Sequence, residues 1–385
     1  MRVLWHSCNP RIGTGYGTQT ALMVREIQKL GHDVAISASV GATCVTELWN
    51  GIKVFPDSGH VGKYGMDSVR MHYKKWGADV VISWLDAFVI PSDVAKELNW
   101  AAWVPVDSEP LMLRNIEPLK ATRWQFAPTN WGVKMLKDAG FKNADILPCA
   151  YDSSIFSVMP DRAKARKEFS RLINQDLTGK YLINVVSCNA GGRKNFQAIF
   201  AAWSVFKKMH PDALMYIHTD ITGYYTGGSD LKEMARVYGV DDDRMLFVAQ
   251  WEYNTGQLGQ NYLNLLYNAS DLHLNCCYGE GFGLPIMDAQ AAGCPTVVPA
   301  FAAANETGFC YKVVEGEMYA TVPGAMQFMV SPEAVVNEMN RAYDDKCVFS
   351  DRVALSYRTT PWQIEYVSRN YLKPILRNIE GDLKR

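Results

Sequence analysis

Glu280 and Asp288 lie in the run Tyr278-Gly279-Glu280-Gly281-Phe282-Gly283-Leu284-Pro285-Ile286-Met287-Asp288, the most chemically pointed stretch of this 385-residue chain. A glycine-rich turn lets backbone amides approach a phosphate closely, and two carboxylates held nearby can accept hydrogen bonds from vicinal hydroxyls, one set on a sugar and one on a ribose. An ionised carboxylate in an otherwise apolar stretch is costly without a partner, which argues for a role rather than decoration. A second constellation, Asn189-Ala190-Gly191-Gly192-Arg193-Lys194-Asn195, follows the apolar run 181–186. Two cations after paired glycines match the charge of a nucleotide diphosphate, and cations beside a leaving diphosphate stabilise the transition state more than the ground state. An exposed basic turn is the alternative reading.

Near the start of the chain, Gly13, Gly15 and Gly17, with Tyr16 between the last two, separate a short apolar run from a helical pattern. Bare amides at a helix start can receive an anion. The spacing is GxGxG rather than GxGxxG, and the next strand ends in Ser37-Ala38-Ser39 without an acidic residue for a ribose, so a dinucleotide fold is not indicated. A tight turn remains the alternative. Trp84 and Asp86, at the end of the run 79–84, combine a flat apolar face with a carboxylate and are the expected acceptor-side residues. The seven histidines lack metal-ligand spacing, no metal is expected, and His218 is structural or near the donor.

These groups need a scaffold that brings strand ends together, and the pattern supplies one. Apolar runs at 3–5, 34–36, 79–84, 101–106, 125–127 and 144–147 alternate with helical segments at 22–30, 92–98 and 130–139. A second series of runs follows at 181–186, 213–218, 245–248, 272–274 and 296–298, with helices at 196–209, 231–238, 260–268 and 284–292. Such alternation predicts an α/β protein with two doubly wound parallel sheets. The expected domains are 1–155, completed by a helical tail at 361–385, and 165–360. The polar, basic stretch 161–168 between them reads as an exposed helix whose charge is a solvated face.

The segment 246–308 resembles the nucleotide-sugar site of retaining glycosyltransferases of family 4, which have the GT-B fold of two Rossmann-like domains facing a central cleft. There the sequence E-G-F-G-L-P-x-x-E-A-x-A-x-G-x-P-V-V recurs, and this chain matches it nearly letter for letter with Asp288 at the second glutamate. The resemblance extends to the glycine loop and helix at 13–34, to Asn130-Trp131-Gly132 through Phe156, to Arg193-Lys194-Asn195, and to the tail from Trp362. It implies that Glu280 holds the donor sugar's hydroxyls, Asp288 the ribose, Arg193 and Lys194 the diphosphate, and that amides of Gly281, Phe282, Gly283 and Leu284 complete the phosphate cradle. Gly15, Tyr16 and Gly17 join the donor-binding set on the same basis. The implied reaction is sugar transfer with retention, the donor phosphate taking the acceptor's proton, with a nucleoside-diphosphate sugar as donor substrate and no obligatory cofactor or metal. The family's arginine ahead of the lysine falls near Asn189, and its first-domain histidine corresponds to the stretch 104–109, which makes Asp107 a candidate catalytic contact or else a strand-end cap.

Composition bounds the partners. With 39 Lys plus Arg against 40 Asp plus Glu, no whole-chain field exists to hold a polyanion, which excludes a histone-like role. Nine cysteines without a CxxC pair suit buried thiols in a reducing cytoplasm. No signal peptide or transmembrane segment is expected, while peripheral membrane contact stays open. The acceptor is unread: glycan, lipid, protein and modified nucleobase all fit. An epimerase or phosphorylase on the same architecture, and a non-catalytic nucleotide-sugar or nucleic-acid binding module, are the competing readings.

Overall fold

Strands whose residues are buried along their whole length, such as Val80–Trp84 and Ala213–His218, have no solvent face, and the backbone answers by placing helices on both sides of parallel sheets. A computed structural model describes residues 1–41, 45–57, 63–65, 68–224, 226–321 and 324–385. The chain forms two compact units, one of Met1–Asp152, Thr321–Ala325 and Pro361–Arg385, the other of Ser153–Ala320 and Met326–Thr360.

In the first unit, β1 (Arg2–Ser7), β2 (Asp33–Ala38), β3 (Glu47–Trp49), β4 (Ile52–Phe55), β5 (Val80–Trp84), β6 (Trp100–Trp103), β7 (Trp124–Ala127) and β8 (Asp145–Ile146) form one sheet in the order β3-β4-β2-β1-β5-β6-β7-β8. All neighbours are parallel except the hairpin partners β3 and β4. Its core holds Leu4, Val81, Trp100, Val104 and Leu136. The tail returns to this unit, where the Trp362 carbonyl accepts from the Tyr151 amide and the Asp382 carboxylate accepts from the Trp124 indole.

In the second unit, β9 (Tyr181–Val186), β10 (Ala213–His218), β11 (Met245–Phe247), β12 (Leu272–Leu274), β13 (Thr296–Pro299) and β14 (Tyr311–Val313) run parallel in the order β11-β10-β9-β12-β13-β14. An antiparallel hairpin, β15 (Gly316–Ala320) with β16 (Met326–Val330), stands apart from the sheet. Helix Phe196–Met209 shows why these elements assemble: Phe196, Ile199, Phe200, Trp203 and Phe206 recur at three- and four-residue intervals and are all buried in the core.

Most expected elements are present, with differences that have local causes. The helix read at 92–98 is only Ser92–Ala95, and the strand read at 101–106 is Trp100–Trp103, because Pro105 has no amide to give to a ladder. The hairpins β3–β4 and β15–β16 and the helices Pro332–Asp345 and Phe349–Arg358 were not anticipated. One reading is corrected outright. The basic stretch 161–168 is not simply a solvated face, because Arg162 and Arg166 in helix Arg162–Ile173 pair with Asp271 at 2.5 and 2.9 Å and donate to the carbonyls of Ser270 and Ala269. The same carboxylate accepts from the Leu182 amide at 2.8 Å, so a single acidic group joins the helix to the starts of β9 and β12. Among the described residues every cysteine is a free thiol, Cys44 lying outside them, and no helix is long and apolar enough to cross a membrane.

Asp271→Ala leaves two guanidinium groups and one strand amide without their acceptor, and should cost roughly 2–3 kcal/mol, read as a lower urea midpoint at unchanged m-value.

Candidate functional site

Parallel sheets bind ligands where the strand order reverses, because the loops leaving the carboxyl ends of the two central strands run to opposite faces and open a crevice. In the second unit that point lies between β9 and β12, whose following loops are 187–195 and 275–283. The Tyr278 amide donates to the Arg193 carbonyl at 3.0 Å and ties the two loops together. Gly191 and Gly192 take left-handed conformations, and so does Asn195, whose side chain caps helix Phe196–Met209 by accepting from the Ala198 amide. The cap fixes the backbone next to Lys194.

Glu280 is only 7% exposed, yet it is ionised. Burial by itself would raise its carboxyl, but Lys194 and Arg193 outweigh that and hold it at about 2. The Lys194 Nζ stands 2.5 Å from Oε1 and the Arg193 Nη1 3.6 Å from Oε2. Arg193 also donates to the Gly279 carbonyl at 2.5 Å. Three residues that sequence reasoning missed complete this shell. Asn275 donates to Glu280 at 3.5 Å and accepts from the Cys277 amide at 3.0 Å, while the Cys277 thiol, pushed to about 11 by burial and by Glu280, donates to the Gly279 carbonyl. Tyr278 is braced by the β15–β16 hairpin through the Phe328 amide and the Tyr319 ring. Only the buried polar types in an apolar run signalled Asn275 and Cys277, and nothing local signalled the hairpin.

Gly283, with φ at +84°, caps helix Leu284–Ala291, and a Cβ there would meet the Ile286 side chain at 2.8 Å. Gly281, Phe282 and Leu284 flank it, and the Phe282 carbonyl accepts from Thr307. Asp288 projects from the same helix without a hydrogen bond or ion pair among the described residues, and burial pushes its carboxyl well above the usual range. Its situation is opposite to that of Glu280. Asn189, where the resembled family has arginine, is a brace: its amide donates to the carbonyls of Asp220 and Ser229 and its oxygen accepts from the Ser229 amide. A small cavity of about 110 Å³ opens beside it, lined by Gly191, Gly192, Lys194, Ser229 and Tyr278 among others.

The first unit repeats the arrangement at its own order reversal, between β1 and β5. Tyr16, grouped with the donor residues from sequence, donates its hydroxyl to Asp86 at 3.1 Å and packs its ring 5.4 Å from Trp84, so it stands with the expected acceptor-side pair. Trp84 in turn lies 4.0 Å from the ring of Trp103. Gly15 begins the helix Gly15–Lys29, and the Gly17 amide donates to the Thr14 side chain while a Cβ on it would come within 2.1 Å of the Ile12 carbonyl, so Gly17 serves the turn itself. Asp107 lies beyond the end of β6. Burial holds His6 and His218 at about 4 and His273 at about 3, so all three are neutral at pH 7. Among the described residues no group of three or more His, Cys, Asp or Glu is arranged to hold a metal ion.

No protein-family model and no curated protein matches the sequence. Solved structures do match the fold over nearly the whole chain. Sucrose-phosphate synthase from Thermosynechococcus elongatus superposes with a TM-score of 0.77 at 14% identity, covering 99% of this chain and 100% of that one. The fold is GT-B. HepE from Anabaena, solved in complex with UDP and glucose, has a TM-score of 0.68 at 12% identity over 98% of this chain and 100% of its own. An E. coli trehalose-6-phosphate structure bound with UDP-2-fluoro glucose gives 0.66 at 12% identity over 100% and 99%. The GT-B fold accounts for two Rossmann-like units in one chain, each with its own order reversal.

The two carboxyls should respond to pH with opposite sign. Glu280 has a depressed folded pKa, so its contribution is present above the unfolded value and is lost as pH falls from about 4 towards 2; Glu280→Gln should therefore be less stable than the parent at pH 7 and converge with it in acid. Asp288 has a raised folded pKa, so ionising it costs stability as pH rises, and Asp288→Asn should melt higher than the parent at pH 7 with the gap closing near pH 4. Thermal unfolding across that range checks both.

Proposed function

We propose that the chain is a retaining glycosyltransferase that moves a sugar from a nucleoside-diphosphate sugar to a hydroxyl acceptor. The observation that carries the reading is the buried Glu280 held between Lys194 and Arg193 at the carboxyl ends of β9 and β12. One carboxylate and two cations leave a net positive charge facing a glycine turn, which suits a diphosphate. When a diphosphate engages Lys194 and Arg193, Glu280 is released to accept hydrogen bonds from the donor sugar's hydroxyls. Asp288, whose carboxyl has no hydrogen bond or ion pair among the described residues, accepts from the ribose hydroxyls. Amides of Gly281, Phe282, Gly283 and Leu284 surround the phosphate oxygens. Solved relatives in fold carry UDP with glucose and UDP-2-fluoro glucose, which supports the donor class.

In the reaction the bond from the anomeric carbon to the diphosphate oxygen breaks, and the electron pair leaves with the diphosphate. The acceptor oxygen bonds to the same face of that carbon, and its proton passes to a phosphate oxygen of the departing group. Charge grows on the diphosphate along this path, so Lys194 and Arg193 lower the barrier rather than merely tightening binding. On the acceptor side, the Tyr16 ring, tilted 47° from the buried Trp84 ring beneath it, offers an aromatic contact and Asp86 a hydrogen-bond acceptor. The two domains at 1–155 with 361–385 and at 165–360 divide acceptor and donor between them, and the free cysteines among the described residues fit a cytoplasmic enzyme.

A panel of nucleoside-diphosphate sugars and hydroxyl acceptors, with products resolved by mass and anomeric configuration by NMR, tests the reading. Lys194→Ala should lower kcat by roughly 10²–10³-fold, and Glu280→Gln should reduce transfer comparably while the fold persists. Donor binding without transfer or donor hydrolysis across the panel would instead make the chain a binding module, and an inverted product would overturn retention.

A further inference from the structure

We propose that the second unit carries another ligand site, at the edge of its sheet opposite Glu280, that takes a small phosphate monoester. A cavity of about 400 Å³ opens there, within the usual size range of small-molecule sites. Its wall includes Lys180, Tyr181, Asp212, Asp271, Lys346 and Arg352. Lys180 precedes β9, Asp212 precedes β10 and Asp271 precedes β12, so the cavity lies under the amino ends of the strands. The loops around Glu280 leave the carboxyl ends, about 16 Å away along a six-residue strand. The cavity is therefore separate from the donor site.

The charges favour an anion. Arg162, Lys180, Lys346 and Arg352 face it against two carboxylates, Asp212 and Asp271. Not every cation is available. Arg162 is committed to Asp271 at 2.5 Å, and Arg352 donates to the carbonyls of Ser270, Tyr267 and Asn268. Lys180 and Lys346 form no side-chain hydrogen bond or ion pair among the described residues, so two ammonium groups stand ready at one recess. A third observation points the same way. The Tyr181 hydroxyl is buried without a hydrogen-bond partner among the described residues, and such a group costs stability unless something accepts its proton. Burial, with Asp271 next in effect, keeps that phenol protonated and so a donor. Two uncommitted lysines in the wall supply cationic donors for a phosphate dianion, the Tyr181 hydroxyl lies buried in the same wall with its proton ungiven, and the volume admits a sugar-sized body. A nucleoside-diphosphate sugar finds here neither the glycine turn nor an unpaired carboxylate of the donor site.

Isothermal titration of the full chain with glucose 6-phosphate as probe, with inorganic phosphate and sulfate alongside, tests this. Saturable binding of the ester is expected, tighter than sulfate, and unchanged in Glu280→Gln. Lys180→Ala/Lys346→Ala should weaken it at least about tenfold at an unaltered melting temperature, since neither ammonium group is paired. Tyr181→Phe should weaken it several-fold while leaving the melting temperature level or raised, an outcome that a merely structural hydroxyl would not produce. Absence of saturable binding, equal affinity for sulfate, unchanged affinity in the double lysine variant, or loss of binding in Glu280→Gln would each overturn the proposal. The last would transfer the ligand to the donor site, and none of these results depends on whether sugar transfer is observed.

Discussion

A buried carboxylate stays charged only where opposite charge is delivered to it at close range, and the second unit is organised around meeting that condition for Glu280. Lys194 and Arg193 come from the loop after β9, Glu280 from the loop after β12, and the strand order places those two strands side by side. The pairing couples the loops electrostatically, the Tyr278 amide couples them through the backbone, and the β15–β16 hairpin supports Tyr278 from outside. The shell around Glu280 is accordingly preorganised, with Asn275 adding a donor to the oxygen that Lys194 meets and the Cys277 thiol sharing the Gly279 carbonyl with Arg193.

Asp288 sets the counterexample a few residues on. No cation meets it among the described residues, and burial keeps its carboxyl well above the usual range. The N-terminal edge of the same sheet shows the reverse economy. There Asp271 is fully engaged by Arg162, Arg166 and the Leu182 amide, and Arg352 closes the carbonyls at the end of helix Gln260–Ala269, which makes that edge a structural joint with a polar recess beside it.

The first unit uses the same topology for a different chemistry. At its order reversal Ser7 donates to the Trp84 carbonyl and locks the ends of β1 and β5 together, and Tyr16, Trp84 and Asp86 converge above that lock. Aromatic rings with one carboxylate replace cations with a glycine turn. Two reversals in one chain thus gather side chains of distinct character, one set largely aromatic and one charged.

Much of this was legible without coordinates. The alternation of apolar runs and amphipathic segments determined two parallel sheets, since strands that lack a polar face must be covered on both sides, and the glycine turn with Glu280 and the Arg193-Lys194 pair determined where charge would concentrate. The tertiary structure alone decided the partners. Tyr16 joins Asp86 and Trp84 across about 70 residues, Asp271 receives arginines from a helix that reads as solvated, and Asn189 braces the loop that holds Ser229. Local pattern specifies an element because each residue's backbone preference and burial are properties of its near neighbours. It leaves open which distant charge or ring arrives beside it, because that is set by strand order, and strand order is settled only when the whole core closes.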